Sequence, residues 1–156
     1  MRRFLIATEG SIVSNDAVRE FARIFGAGIG TLYVLAVIPP AGKPEGHPAA
    51  ADHYHRAAED AQEALDLAIA DLQTAGHDAI GLMRVGPIAE TIVEVAQELN
   101  ADLLVLGTHD RRGLGRLLHG SVAEQVLREA PCAVFIFPHG VQQRADAIAD
   151  ARAIEI

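Results

Sequence analysis

The stretch "VGPIAETIVEVAQELNADLLVLGTH", from Val85 to His109, contains the pattern that decides the fold. Pro87 stands where a first helical turn is expected, apolar residues then recur at helical spacing, and Asn100 can end the helix. The predicted inner face of this helix comprises Ile88, Ile92, Val95, Ala96 and Leu99. The segment "LLVLG" that follows is apolar throughout, which is typical of a strand covered on both faces in a parallel sheet.

The same alternation of strand and helix extends over most of the chain. Five β-rich runs are predicted as strands: Arg3 to Thr8, Thr31 to Ile38, Ala79 to Val85, Leu103 to Gly107 and Ala133 to Phe137. Strict alternation implies right-handed crossovers and a three-layer α/β/α fold with a parallel sheet, as in Rossmann-like proteins. We therefore expect one α/β domain over residues 1–138, followed by a tail, 139–156, with the pattern of a short amphipathic helix.

Capping signals mark the ends of the other helices. Ser14 is predicted to cap the first helix, with Asp16 near the positive end of its dipole. Gly76 is predicted to form the left-handed C-cap of the second, and Ser121 with Glu124 forms a capping box for the fourth. The predicted inner face of the second helix comprises Ala61, Leu65, Ala68, Ile69 and Leu72.

Composition excludes several classes of protein. The chain has 156 residues, with 13 basic against 21 acidic side chains and a formal charge of −8, so general binding to nucleic acid is not expected. Cys132 is the single cysteine, which excludes an intramolecular disulfide and a multi-cysteine zinc site and fits a reducing cytoplasm. The N-terminal apolar run is too short for a signal peptide or a membrane span. We expect a soluble, cytoplasmic protein.

The loop "GTHDRRGLGRLLHGS", Gly107 to Ser121, has the features of a phosphate site. It follows the fourth strand and leads into a helix N-terminus, whose free N–H groups and dipole favour an anion. Its glycines allow the backbone to approach a ligand closely, and Ser121 adds a hydroxyl. The alternative is that the glycines only form a tight turn and that Ser121 only caps the helix.

Neither this loop nor the rest of the chain has the sequence pattern of a P-loop, a histidine metal site or a catalytic centre. A P-loop is excluded because serine stands where its lysine belongs, and Lys43, the single lysine, lies in a distant loop. Phosphate charge would instead be met by backbone amides, Ser121, a metal ion or nearby arginines. His53 and His55 are predicted to lie on different faces of a helix, so no metal site is predicted there. No catalytic residues are predicted either.

These features together resemble the universal stress protein family. In its ATP-binding members a glycine, two residues, a second glycine, nine residues and a glycine with serine or threonine follow the fourth strand. Gly107, the nine-residue gap 111–119, Gly120 and Ser121 match this pattern. The segments "ATEGS" and "SVAEQVLREAPCAVFIF" also resemble the family, and the resemblance covers Arg2 to about Pro138.

The resemblance implies a sheet of order 3-2-1-4-5, in which the ends of strands one and four lie side by side. Carried over by position, the family's site residues are Ala7, Glu9, Val37, Gly107, Gly120 and Ser121. The first three would line the adenine and ribose side, Gly107 would lie by the ribose, and Gly120 with Ser121 would hold the phosphates. The implied ligand is ATP, or AMP or ADP, with Mg²⁺ as a candidate partner ion. The family also implies a homodimer through the last strand and at most slow ATP hydrolysis.

Two positions depart from the family pattern. Glu9 stands where aspartate is usual, which keeps a carboxylate acceptor but lengthens it by one methylene. Asp110 replaces the second glycine, and a carboxylate near phosphate oxygens is repulsive unless a cation bridges them. We therefore expect Asp110 to weaken nucleotide affinity or to make it depend on Mg²⁺. The alternative is a nucleotide-free dimer that acts through protein partners, which Asp110 and the residues after Pro138 favour.

Overall fold

The computed structural model describes residues 1–40, 48–108 and 122–138, and all structural statements below concern these ranges. Five strands alternate with four helices there. In chain order they are β1 (Arg3–Ala7), α1 (Ile12–Ile24), β2 (Thr31–Ile38), α2 (Pro48–Thr74), β3 (Ala79–Val85), α3 (Ile88–Glu98), β4 (Leu103–Thr108), α4 (Val122–Glu129) and β5 (Ala133–Pro138). The predicted tail, 139–156, lies outside the described residues.

The strands form one parallel sheet of order β3-β2-β1-β4-β5, which confirms the predicted topology. β1 lies at its centre, with Phe4 level with Leu32 of β2 on one side and with Leu103 of β4 on the other. Because the chain leaves β1 toward β2 and later returns to β4 on its other side, the winding reverses beside β1. The carboxyl ends of β1 and β4 therefore flank the switch point, where ligands of open α/β sheets bind.

Alternating side chains of the central strands build a core on each face of the sheet. Phe4 and Ile6 point to the face covered by α1 and α2, where they pack with fully buried Phe21 and Leu72. Leu5 and its neighbours on β2 and β4 point to the opposite face, where α3 and α4 cover them. This arrangement is the predicted three-layer α/β/α fold.

Most predicted element ends are confirmed to within one residue, and three details are corrected. The N-cap of α1 is Ser11, not Ser14, because a left-handed turn at Gly10 allows the helix to begin three residues earlier. α2 begins at Pro48, well before the predicted apolar stripe. Ile88 is the first residue of α3 and is partly exposed, so it does not belong to the inner face, whereas Ile92, Val95 and Ala96 do.

The left-handed end predicted for α2 at Gly76 is confirmed, and Asn100, which was predicted to end α3, is left-handed as well. Asn100 has φ +47° and follows Leu99, the C-cap of α3, and Gly76 has φ +84° after α2. The predicted capping residue Ser121 lies outside the described residues. His53 and His55 are exposed on α2, as expected for residues of a solvated helical segment.

Candidate functional site

The turn between β1 and α1 forms one side of the candidate site. Ala7 ends β1 half-buried, and Thr8 continues the strand direction by donating its backbone N–H to the Leu35 carbonyl at 2.9 Å. Gly10 then takes φ +79°, which glycine adopts without strain, and reverses the chain into α1. Ser11 caps the helix by accepting the Ser14 N–H at 3.2 Å. The turn is thus fixed by a strand bond at one end and a helix cap at the other.

Hydroxyl groups make a second set of bonds inside this turn. The Gly10 N–H donates to Thr8 Oγ1 at 3.3 Å, and the Thr8 hydroxyl donates to Ser14 Oγ at 3.2 Å. The Ser14 hydroxyl donates in turn to the Ser11 carbonyl at 3.1 Å. Thr8 and Ser14 are both buried, so their hydroxyls are satisfied within the protein.

Glu9 projects from the same turn and is exposed. Its backbone N–H donates to Ser14 Oγ at 3.4 Å, and its carboxylate Oε1 accepts the Ser11 hydroxyl at 2.8 Å. The predicted site residue is therefore held at both its backbone and its side chain by the residues that begin α1. A carboxylate in this position can accept hydrogen bonds from hydroxyl or amino groups of a ligand.

Gly107 near the end of β4 forms the neighbouring part of the site. β1 and β4 pair with Ile6 level with Val105, and this register continued by two residues sets Thr8 beside Gly107. A Cβ added at Gly107 would lie 2.6 Å from the Val13 carbonyl oxygen in the first turn of α1. Glycine is thus required here by the close approach of α1 to the β4 backbone, whether or not a ligand is bound.

Ala7 and Val37 lie on the face of the sheet that α3 and α4 cover, and both are half-buried against that core. On the other face, a Cβ added at Gly10 would contact Ala64 Cβ of α2 at 3.1 Å. The structure therefore places Glu9 and Gly107 at the ends of the adjacent strands β1 and β4. Val37 lies near the end of β2, on the other side of β1. Three predicted site residues, Asp110, Gly120 and Ser121, lie outside the described residues.

Sequence reasoning missed the contribution of Ser11. The signal was present in "TEGS", because serine is a preferred N-cap residue and the glycine before it can form the tight turn that leads into a helix.

Cys132 lies just before β5, half-buried against the α3 and α4 core. Burial raises the pKa of its thiol, and the nearby negative charge of Asp102 raises it further, although a backbone hydrogen bond at Leu104 acts in the opposite direction. A thiol that retains its proton is a weak nucleophile. The structure therefore shows the Cys132 side chain as one that packs against the core and is not activated as a nucleophile.

The described ranges hold no cluster of three or more His, Cys, Asp or Glu side chains with metal-binding geometry. Nor does any helix in them combine the length and the apolar character needed to cross a bilayer.

The fold is that of a doubly wound α/β protein in which the carboxyl ends of β1 and β4 flank the switch point of the sheet. The model of the universal stress protein family matches residues 1–138, and the chain belongs to this family. The resemblance found in the sequence is thereby confirmed.

Individual relatives agree with this assignment. Universal stress protein MJ0531 of Methanocaldococcus jannaschii is 36% identical over 139 residues, which cover 86% of this chain and 81% of the relative. A universal stress protein solved in complex with cAMP superimposes with a TM-score of 0.67 at 30% identity, covering 87% of this chain and 96% of the other. The Archaeoglobus fulgidus universal stress protein in complex with dAMP gives a TM-score of 0.62 over 87% and 97% of the two chains. At 21% identity, this similarity supports the fold alone.

Proposed function

We propose that this protein binds ATP, or the related nucleotides AMP or ADP, and acts as a binding and regulatory module in the stress response. The observation that carries the proposal is the placement of Glu9 and Gly107 at the adjacent ends of β1 and β4, where the winding of the sheet reverses. Family membership adds support, and so does a relative of 30% identity that was solved with an adenine nucleotide, cAMP.

Each side of the proposed site has a distinct chemical task. The Glu9 carboxylate accepts hydrogen bonds from the ribose hydroxyls or the adenine amino group, and Ala7 and Val37 supply apolar contact for the base. Gly107 lies by the ribose. By resemblance, Gly120 and Ser121 hold the phosphates with backbone amides and a hydroxyl.

Asp110 is the residue that sets the strength of binding in this proposal. Its negative charge beside phosphate oxygens costs ~1 kcal/mol or more at intermediate dielectric unless a cation lies between them. Mg²⁺ is the natural candidate, because it is bound by one or two carboxylates together with substrate phosphates. We therefore propose that ATP binds with Mg²⁺ and binds more weakly without it.

Calorimetric titration of nucleotide-stripped protein tests the proposal. With Mg²⁺ present, we expect ATP to bind with a Kd near or below about 10 μM, which corresponds to about −7 kcal/mol. Asp110→Gly is expected to bind ATP more tightly than the wild type in the absence of Mg²⁺. Absence of binding into the millimolar range would reject the nucleotide function, and equal affinities of the two proteins would reject the role of Asp110.

We further propose that the protein forms a homodimer through β5. Among the described residues β5 pairs with β4 alone, which leaves its other edge open, and Phe135 on it is 41% exposed. The unpaired N–H and C=O groups of such an apolar edge strand can form hydrogen bonds with a strand of another chain. Light scattering is expected to give about twice the 16.6 kDa of one chain, and a monomer at micromolar concentration would contradict the proposal.

A second candidate function is that of a nucleotide-free dimer that acts through protein partners in the cytoplasm. The observation that favours it is the contact of Gly107 with Val13, because this contact requires glycine even when no nucleotide binds. The two candidates are separated by the calorimetric titration, in which only the first predicts heat of ATP binding.

A further inference from the structure

Two hydrogen bonds of the Ser11 side chain link the candidate site to the start of α1. The side-chain oxygen of Ser11 accepts the Ser14 N–H at 3.2 Å and thereby caps α1. Its hydroxyl proton is donated to Glu9 Oε1 at 2.8 Å. The Ser11 hydroxyl also lies 3.4 Å from Ser14 Oγ, which is a longer and therefore weaker alternative acceptor for its single proton. A hydroxyl has one proton and two lone pairs, so both bonds are made at the same time.

The neighbouring hydroxyls cannot take over the bond to Glu9 without breaking bonds of their own. The Thr8 proton is donated to Ser14 Oγ and the Ser14 proton to the Ser11 carbonyl. In this arrangement the hydroxyl proton that reaches Glu9 comes from Ser11.

The hydrogen bond from Ser11 matters for ligand binding because the Glu9 side chain is long and flexible. An exposed glutamate has one more rotatable bond than aspartate and loses more side-chain freedom when a ligand fixes it. A bond of 2.8 Å to a charged acceptor reduces this loss, because the carboxylate is already held before the ligand arrives.

We propose that Ser11 is a positioning residue for the nucleotide site, which orients the Glu9 carboxylate toward the ribose hydroxyls or adenine amino group through its hydroxyl proton. The inference rests on the proposed nucleotide function. It adds that the recognition carboxylate and the cap of α1 depend on one hydroxyl group.

Two substitutions distinguish the effect of the helix cap from that of the hydrogen bond to Glu9. Ser11→Asp keeps an oxygen that caps α1 as well as serine does, but it has no proton to donate and places a second negative charge beside Glu9. Ser11→Thr keeps both the cap and the donor. We expect the melting temperature of Ser11→Asp to stay within about 2 °C of the wild type, because its cap is retained.

ATP affinity in the presence of Mg²⁺ is the readout that a purely structural role would leave unchanged. Ser11→Asp is expected to weaken ATP binding about tenfold, and Ser11→Thr to restore it to within about twofold of the wild type. In a Glu9→Ala background, Ser11→Asp is expected to change affinity by less than about twofold, because Ser11 acts through Glu9. Thr74→Ala, which removes an exposed hydroxyl bonded to the Ala70 carbonyl in α2, is the matched control with unchanged affinity.

A measurement without nucleotide tests the bond itself. Three-bond NMR couplings of Glu9 are expected to report one dominant rotamer in the wild type and in Ser11→Thr, and rotamer averaging in Ser11→Asp. Averaged couplings already present in the wild type would overturn the proposal.

The failure of this inference can be told apart from the failure of the proposed function. If the wild type binds ATP and Ser11→Asp binds it equally well, the positioning role is overturned and the nucleotide function stands. If the wild type does not bind ATP, the nucleotide function is overturned, and the role of Ser11 in nucleotide binding with it.

Discussion

Replacing Gly107 with alanine would decide whether this glycine serves the fold or a ligand. The added Cβ would lie 2.6 Å from the Val13 carbonyl oxygen and 3.0 Å from the Val13 carbonyl carbon and Cγ1. Carbon atoms pack at about 3.5 to 4.0 Å, so the first turn of α1 would have to move by roughly 0.5 to 1 Å. The nearest obstacle is backbone, which cannot move aside by a rotamer change.

The cost follows from these distances. Overpacking a well-packed site costs about 1 to 3 kcal/mol, and the backbone obstacle places Gly107→Ala in the upper part of that range. The smaller conformational freedom of alanine in the unfolded chain offsets about 0.5 to 1 kcal/mol. We therefore expect a net loss of about 2 kcal/mol in the free energy of unfolding, or roughly 4 to 8 °C in Tm for a domain of this size.

Urea unfolding followed by circular dichroism, with nucleotide-free protein, measures this loss. Gly26→Ala is the matched control, because a Cβ there meets no atom within 4 Å and its φ is not positive, so its stability should be unchanged or slightly higher. If Gly107→Ala unfolds within about 0.5 kcal/mol of the wild type while losing ATP binding, the glycine serves the ligand and our packing argument is refuted.

Three further predictions concern other parts of the molecule. Gly10→Ala should cost more stability than Gly28→Ala in urea unfolding, since both positions have φ +79° but only the Gly10 Cβ meets a neighbour, Ala64 Cβ at 3.1 Å. Equal losses would contradict that contact. Phe21→Ala should cost about 3 to 5 kcal/mol, because Phe21 is fully buried in the core between the sheet and α1 and α2; a loss below about 1 kcal/mol would contradict the packing. The pKa of the Cys132 thiol is raised in the native state, so the thiol loses its proton at a lower pH in the unfolded chain than in the native protein. Deprotonation therefore favours the unfolded chain, and the thiol's contribution to stability falls as pH rises through the alkaline range. Alkylation of native protein at pH 8 should therefore be slower than that of urea-unfolded protein, and equal rates would contradict the shift.

Much of the fold could be predicted because its signals are local. The five strands are apolar runs bounded by turn residues, and the observed β2 and β3 have the predicted ends. The order of the strands was implied by the family resemblance rather than by the runs themselves. The apolar positions that predict α2 begin only at Ala61, and the turns back to Pro48 carry no such stripe, so the sequence does not predict where this helix starts.

The sequence predicts which residues belong to the candidate site but not which contacts its described residues make. Spacing and resemblance placed Glu9 and Gly107 at two strand ends, and the structure brings those ends together. The cap at Ser11 depends on the φ angle of Gly10, which the sequence allows but does not specify. The packing role of Gly107 depends on the distance from β4 to α1, two elements far apart in the chain, so no local pattern reveals it.

The central place of β1 in the sheet has a consequence for how the chain is synthesised. Its first partner, β2, leaves the ribosome soon after it, but β4 begins only at Leu103, about 100 residues after Arg3. Ribosomes add about 5 to 20 residues per second, so roughly 5 to 20 s pass between the synthesis of β1 and that of β4. The edge of β1 that pairs with β4 stays unpaired for this time. During that interval the nascent chain carries an open, apolar strand edge, with which a strand of another chain can pair.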